Sequence, residues 1–291
     1  MYAASFDYYR ARSLADAQQL LAAHPGAKLL AGGHSLLPLM KLRLAAPTAV
    51  VDIGRVPELR GIARSGDVIR IGALTTHAEV AASTELRGAA EALAQAAAVV
   101  GDPAVRNRGT VGGNIAHADP ASDLPIVLVA LAARMIAVGA QGERTIAADE
   151  FFTGIMTTAL ADREILVAID VPVAGRGQGS AYEKFAHPAS RYAVVGAAAL
   201  VTIENDTISA ARVALGGLLP NARRAPAVEA ALTGKPSNAE TVAAAAQLAV
   251  TDLGGDATGD LYASAEYRVA MTPVYVRRAL ETAVARAKRG S

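Results

Sequence analysis

The sequence predicts an α+β protein of two units, because strand and helix patterns alternate along it and a glycine-rich break divides it. In the first part, apolar runs of strand length alternate with alanine-rich stretches of helical length. Residues 175–179 are a Gly-Arg-Gly-Gln-Gly run, which marks a loop and a domain boundary. Beyond it, strand-like segments come first and helices come after them. A chain of 291 residues fits about two domains.

The elements of the first unit can be assigned in order from apolar runs, caps and breakers. Ser13 has the position of a helix N-cap, and Pro25-Gly26 ends the helix that begins there. The remaining assignments are strands at 6–9, 28–31, 50–53, 135–138 and 165–171, a hairpin at 62–71, helices at 76–100, 123–133 and 148–152, and a glycine-rich loop at 106–114.

The second unit reads as a sheet followed by helices. Strand-like segments occupy 181–185, 193–203 and 208–215, and Asn205-Asp206 predicts a tight turn between the last two. Helices are predicted around 227–232, 239–253 and 273–287. This order places the boundaries of the units at 1–175 and 176–291.

Composition excludes several kinds of chemistry. The chain has no cysteine, which rules out a thiol nucleophile, a disulfide framework and a cysteine-held iron–sulfur cluster within it. Its formal net charge of +1 gives no electrostatic footprint for nucleic acid. The five histidines lack metal-ligand spacing, so we predict no metal site. No segment has the pattern of a signal peptide or a membrane span, and we expect a cytoplasmic protein.

Two glycine-containing segments are the main candidates for ligand binding. They are Ala31-Gly32-Gly33-His34-Ser35-Leu36 and Thr110-Val111-Gly112-Gly113-Asn114. Glycine lets the backbone approach a phosphate closely, and successive N–H groups can form a nest for anionic oxygens. Either segment alone reads equally as a structural turn, and neither a P-loop nor a Rossmann fingerprint occurs in the sequence.

These segments extend into long strings that resemble one family. The strings are AGGHSLLPLMKLRL at 31–44 and TVGGNIAHADPASD at 110–123, with YEKF at 182–185 in the second unit. They resemble the FAD-binding medium subunits of the molybdenum hydroxylases, a family that includes xanthine dehydrogenase, and especially the carbon monoxide dehydrogenase type. The likeness spans essentially the whole chain.

The resemblance implies a fold and a division of labour. The first unit would be the two-subdomain FAD-binding fold of vanillyl-alcohol oxidase-like proteins, with subdomains at about 1–57 and 58–175. The second would be a smaller domain of a three-stranded sheet with helices. A large partner subunit would carry the molybdenum cofactor and a small one two 2Fe-2S clusters, in a dimer of heterotrimers. The absence of cysteine agrees, and argues against the hydroxybenzoyl-CoA reductase branch, whose flavin subunit holds its own cluster.

The resemblance also implies which residues contact FAD. The two glycine turns would share the pyrophosphate. Lys184 would lie close to the flavin, Tyr192 beside its ring, and Ile165 and Leu166 would make apolar contacts with it. The full set is Leu29, Leu30, Ala31, Gly32, Gly33, His34, Ser35, Leu36, Gly101, Thr110, Val111, Gly112, Gly113, Asn114, Asp123, Ile165, Leu166, Lys184 and Tyr192.

Three functions remain open at this point. The first is an electron-transfer subunit that accepts electrons from the clusters of a partner and passes them to an external acceptor. The second is a self-contained FAD-dependent oxidoreductase of the same fold, for which the sequence offers no convincing proton donor. The third is a scaffolding module that has lost FAD, against which the intact glycine segments speak.

Overall fold

The computed structural model describes residues 2–290, whose strands form three main sheets and one two-stranded ribbon. The outermost residues of the two predicted units, Met1 and Ser291, lie outside the described residues.

The first sheet is parallel and precedes the first glycine segment. Its elements, with their helices, are β1 (Asp7–Arg10), α1 (Leu14–Ala23), β2 (Lys28–Leu30), α2 (Leu36–Lys41) and β3 (Ala49–Asp52). The buried β3 lies between β1 and β2. Ser13 caps α1 as predicted, since its Oγ accepts from the backbone N–H of Asp16 at 3.1 Å. Residues 31–35 therefore leave the carboxyl end of a parallel strand and enter α2.

The second sheet is antiparallel, in the order β4-β5-β10-β6-β7. A short 3-10 turn, Pro57–Leu59, leads into it. The strands are β4 (Ile62–Ser65), β5 (Val68–Gly72), β6 (Arg134–Gly139), β7 (Gly142–Ala147) and β10 (Ile165–Pro172); β8 (Phe152–Gly154) and β9 (Thr157–Thr158) form a separate small ribbon. The central β10 is buried over most of its length, as a strand with neighbours on both edges should be.

Six helices connect β5 to β6, and α9 (Ala148–Phe151) comes after β7. They are α3 (His77–Ala82), α4 (Thr84–Ala89), α5 (Glu91–Val99), α6 (Pro103–Arg106), α7 (Val111–His117) and α8 (Asp123–Ala130). The single helical stretch predicted over 76–100 is thus three helices. Ser83 ends the first and caps the second, because its extended backbone directs its hydroxyl oxygen to the N–H of Leu86.

The loop predicted over 106–114 is wrong in its second half. Val111–Asn114 form the first turn of α7. Thr110 is the N-cap, and its Oγ1 accepts from the backbone N–H of Gly113. The two glycines suggested a loop, but this cap and the tertiary contacts of the turn outweigh their low helix propensity.

The third sheet consists of three long strands and a two-residue strand: β11 (Gln178–Ala186), β12 (Ala193–Glu204), β13 (Thr207–Gly216) and β14 (Arg223–Arg224). Asn205 and Asp206 make the predicted tight turn, both with positive φ. The helices after this sheet are α10 (Pro226–Leu232), α11 (Ala239–Gln247), α12 (Ala249–Leu253) and α13 (Ala265–Arg289). Within residues 2–290, no helix combines the length and the apolar character needed to cross a membrane.

Two helices join the sheets into one packed body. Every residue of α8 is buried, and α8 packs against α5 on one side and against β12 and β13 on another. The long α13 covers β11 and β12. At Gly179 the strand and helix backbones are so close that an added Cβ would lie 2.2 Å from the carbonyl oxygen of Ala283 and 2.3 Å from the nitrogen of Ala287.

Gly179→Ala should therefore destabilise the protein by about 1–3 kcal/mol, because α13 must move away from β11 to admit the methyl group. The measurement is the free energy of unfolding from urea titration. Gly88→Ala is the matched control, since an added Cβ there meets no atom within 4 Å and Gly88 lies in α4. The control should be neutral or more stable by up to about 1 kcal/mol. Equal values for the two variants would contradict the close packing.

Candidate functional site

A cavity of about 870 Å³ lies where the first glycine segment, α7, the start of α8 and the start of β10 converge. Its wall also includes Ser190, Arg191 and Tyr192 from the hairpin between β11 and β12. A cavity of this size can hold a large organic cofactor. It is formed mainly by residues before position 170, and the third sheet contributes the hairpin.

Sixteen of the nineteen predicted site residues line this cavity: Leu29, Ala31, Gly32, Gly33, His34, Ser35, Leu36, Gly101, Thr110, Gly112, Gly113, Asn114, Asp123, Ile165, Leu166 and Tyr192. The other three lie outside its lining. Leu30 is the last residue of β2, and the side chain of Val111 is fully buried in the protein core. Lys184 forms a buried ion pair with Asp123, which is described below.

The first glycine segment has backbone donors with no protein partner. Gly33 has a φ of +78°, a conformation that favours glycine. Among the described residues, no group accepts a hydrogen bond from the backbone N–H of residues 32–36. The N–H groups at the start of α2 have no partner within the helix, and they continue the unpaired donors of Gly32 and Gly33 along the cavity wall, so the row can bind a ligand with acceptor oxygens.

The second glycine segment differs from the nest predicted for it. The N–H of Val111 donates to the carbonyl of Thr75, and that of Gly112 donates to the carbonyl of Ala73. The N–H groups of Gly113 and Asn114 donate to the side chain and the carbonyl of Thr110. All four backbone donors are therefore used within the protein. The donors of this segment that remain are the backbone N–H and the hydroxyl of Thr110 and the side-chain amide of Asn114.

The two segments lie against each other. A Cβ on Gly32 would come within 2.4 Å of the carbonyl oxygen of Arg108, two residues before Thr110. A Cβ on Gly113 would meet the hydroxyl of Thr110 at 2.8 Å and the methyl group of Ala31 at 3.7 Å. A Cβ on Gly32 would force the segments apart, whereas one on Gly113 would press on the Thr110 hydroxyl that caps α7 and make only ordinary contact with Ala31.

The charges that line the cavity do not form a basic patch. The cationic side chains are Lys28, Arg163 and Arg191, and the acidic ones are Asp123, Asp162 and Glu164. Four histidines also contribute: His24, His34, His77 and His117. His77 is 3% exposed, and burial, followed by the nearby His34 and Arg106, lowers its pKa to about 4, so its imidazole is neutral at pH 7. Its Nδ1 is buried and has no partner among the described residues.

A buried carboxylate connects the cavity to the third sheet. Asp123 is the first residue of α8, and its carboxylate accepts from the hydroxyl of Tyr182 at 2.6 Å. The ammonium group of Lys184 lies 2.9 Å from the same carboxylate and also donates to the carbonyls of Val99 and Arg191. The side chains of Asp123 and Lys184 are each 5% exposed. Lys184 thus holds three elements together and does not itself line the cavity.

Burial controls the ionisation of this network. It raises the pKa of Asp123, although the charge of Lys184 and the hydrogen bond from Tyr182 oppose the shift. Burial also raises the pKa of Tyr182 well above its ordinary value, and the adjacent Asp123 adds to the effect. Tyr182 therefore remains a hydrogen-bond donor to the carboxylate at neutral pH.

Sequence reasoning missed some residues of the site. Ser122 and His77 line the cavity, and each is 3% exposed. Ser122 lies inside the string 110–123, so its place in that string was an available signal. No sequence pattern indicates His77, because it reaches the cavity through the pairing of Thr76 with Thr110 and the hydrogen bond from its own N–H to Gly109.

Lys184→Met should lower the free energy of unfolding by about 3–5 kcal/mol at pH 8, because it leaves the Asp123 carboxylate buried and unpaired. The loss of the cation raises the pKa of Asp123 further. The folded variant then keeps a proton that the unfolded chain releases, so its stability falls as the pH rises from the ordinary pKa of Asp towards the raised one. The cost should therefore be smaller at pH 5 than at pH 8, measured by urea unfolding.

The double variant Lys184→Met/Asp123→Asn is the control. It removes the titrating carboxylate, so the fall in stability between pH 5 and pH 8 that Asp123 causes in Lys184→Met should be absent from it. A cost for Lys184→Met that is the same at pH 5 and pH 8 would contradict the role assigned to the ion pair.

Comparison with known families gives two matches along the chain. Residues 4–174 match the model described as FAD binding domain in molybdopterin dehydrogenase. Residues 180–283 match the model described as CO dehydrogenase flavoprotein C-terminal domain. Together these matches cover both parts of the sequence.

The sequences of individual relatives align with this chain over nearly the whole length of both. The carbon monoxide dehydrogenase medium chain of Hydrogenophaga pseudoflava is 41% identical over 97% of this chain and 98% of its own. The 6-hydroxypseudooxynicotine dehydrogenase complex subunit alpha of Paenarthrobacter nicotinovorans is 39% identical over 98% and 96%.

A solved structure of the carbon monoxide dehydrogenase of Hydrogenophaga pseudoflava, in a form that lacks the Mo-pyranopterin moiety, superposes with a TM-score of 0.94 at 43% identity, covering 98% of this chain and 99% of the other. The chain belongs to the family of FAD-binding medium subunits of molybdenum-containing oxidoreductases, in its carbon monoxide dehydrogenase type.

Proposed function

We propose that this chain holds FAD in the cavity and serves as the electron-transfer subunit of a molybdenum-containing dehydrogenase complex. Electrons from 2Fe-2S clusters on a partner subunit would reach the flavin here and leave to an external acceptor. FAD suits this task because it exchanges electrons singly and in pairs. The observation that carries the proposal is the row of five unpaired backbone N–H groups at residues 32–36, on the wall of a cavity of about 870 Å³.

The residues present fit FAD. A pyrophosphate needs several donors, and the unpaired N–H groups supply them although the cavity has no basic cluster. Gly32 lies so close to the carbonyl of Arg108 that a Cβ would clash with it, so glycine is needed to keep the first segment in place at the cavity wall. The buried Ile165 and Leu166 at the start of β10 offer apolar contact, and Tyr192, 45% exposed, offers an aromatic ring at the rim.

Different residues of the chain would contact FAD and position the groups that contact it. The first segment would hold the phosphates through its backbone, and Thr110 and Asn114 would donate from the opposite wall. Lys184 does not line the cavity, so we assign it the positioning of Asp123 and of the hairpin carbonyl of Arg191, in place of direct contact with the flavin. Its charge would act on the flavin only through these groups.

The partners are inferred from the relatives and from the composition. A chain without cysteine cannot hold cysteine-ligated clusters, so the 2Fe-2S centres and the molybdenum cofactor belong to other subunits. We propose a small and a large partner, a dimer of heterotrimers in the cytoplasm, and a functional division of this chain near residue 175. The named complexes of the relatives differ in substrate, so the sequence of this chain does not identify one.

The metal and flavin content of the native complex tests this proposal. Full-length chain with an affinity tag, purified from the cells that make it, should bring down two further subunits, with roughly four iron atoms and one molybdenum for each FAD. A preparation that contains FAD but neither metal, and that oxidises a small substrate alone, would overturn the proposal in favour of a self-contained oxidoreductase. A preparation without FAD would favour a scaffold.

Gly113→Val tests the place of FAD in the cavity. The branched side chain should crowd Thr110 and Ala31, push the two segments apart and abolish flavin retention, read from the absorbance of the purified complex. Molybdenum and iron should remain, since other subunits hold them. Gly88→Val is the control, because an added Cβ there meets nothing within 4 Å, and it should keep its FAD. Full flavin occupancy in both variants would contradict the assignment.

A further inference from the structure

Ser122 is an N-cap residue that does not cap its helix. It precedes α8, yet its side chain makes no hydrogen bond to the first turn. The N-cap serines Ser13, Ser83 and Ser264 do make that bond, each to the N–H three residues later, whereas Ser35, before α2, does not. The hydroxyl of Ser122 instead donates to Oδ1 of Asn114, eight residues back, at 2.7 Å. A local stabilising contact has been given up for a contact in the cavity wall.

This hydrogen bond fixes the side-chain amide of Asn114. Ser122 is 3% exposed, and both residues line the cavity. Because the hydroxyl engages Oδ1, the nitrogen of the amide keeps both of its donors. No described group accepts from that nitrogen. Without the serine, the amide could turn over and present its oxygen to the cavity, which would repel an anionic ligand.

The amide matters because the second glycine segment has few other donors. The backbone N–H groups of residues 111–114 are all used within the protein. Thr110 can donate through its hydroxyl, but that oxygen already accepts from Gly113 and is held in the cap of α7. Apart from Thr110, which is held in this cap, the donor of this segment that can reach a ligand is therefore the amide of Asn114.

We propose that Ser122 is a positioning residue for the cofactor, which orients Asn114 so that its amide nitrogen donates to an oxygen of FAD. The proposal rests on the proposed place of FAD in the cavity. The phosphates and the ribityl chain of FAD both present oxygens that accept hydrogen bonds.

A double-mutant cycle on FAD affinity tests it. Complexes that carry Ser122→Ala, Asn114→Ala or both are stripped of flavin, and FAD is titrated while flavin fluorescence is followed. Each single variant should weaken binding about tenfold, the effect of one hydrogen bond, and the double variant should be no weaker than Asn114→Ala. Ser122→Thr should restore affinity, because it keeps the hydroxyl. Ser122→Gly, which an N-cap tolerates, should repeat the loss seen with alanine.

Ser83→Ala is the matched control. It removes a serine that does cap its helix, so it should lower the urea midpoint and leave the FAD dissociation constant unchanged, whereas Ser122→Ala should raise the FAD dissociation constant. An unchanged FAD affinity in Ser122→Ala, or additive losses in the cycle, would overturn the positioning role. If Gly113→Val and Asn114→Ala also bind FAD normally, the proposed cofactor site itself fails.

Discussion

The buried carboxylate of Asp123 is the constraint on which the site depends. It begins α8 and accepts from Tyr182 and Lys184 of β11, so a single charged group ties the start of this helix to the third sheet. Lys184 then extends the tie to Val99 and to the hairpin at Arg191. A charge with so little access to water persists only while its partners stay in place. The cavity wall therefore has its shape because this network is complete.

The unpaired backbone N–H groups of residues 32–36 explain how a nearly neutral chain can offer enough hydrogen-bond donors for a pyrophosphate. The two glycine segments look alike in sequence. In the second, the backbone N–H groups of residues 111–114 donate to other groups of the protein, whereas in the first, those of residues 32–36 have no acceptor among the described residues. The difference arises from the secondary structure that each glycine pair enters. In the second segment, the pair forms the first turn of a capped helix. In the first segment, the pair remains in the connection between β2 and α2.

The sequence was sufficient for the fold class, for the Ser13 cap and for the Asn205-Asp206 turn, because each depends on local chemistry. Through the family resemblance it also identified sixteen residues that line the cavity, out of nineteen predicted. It failed where distant contacts decide. The helical turn at Gly112 and Gly113 depends on Thr110 and on carbonyls from Ala73 and Thr75. The environment of Lys184 depends on elements that are far apart in the chain. The contact of His77 with Gly109 is also long-range, and neither residue spacing nor secondary-structure propensity indicates it.

The complete burial of α8 has a consequence for what happens when the chain is divided into two fragments. Its apolar faces are shared between the helices of the first part and the strands β12 and β13, so residues of both matched families belong to one hydrophobic core. The two family models meet near residue 175, whereas the hydrophobic core around α8 continues across that point. Separated there, each fragment would expose a surface that the other had covered.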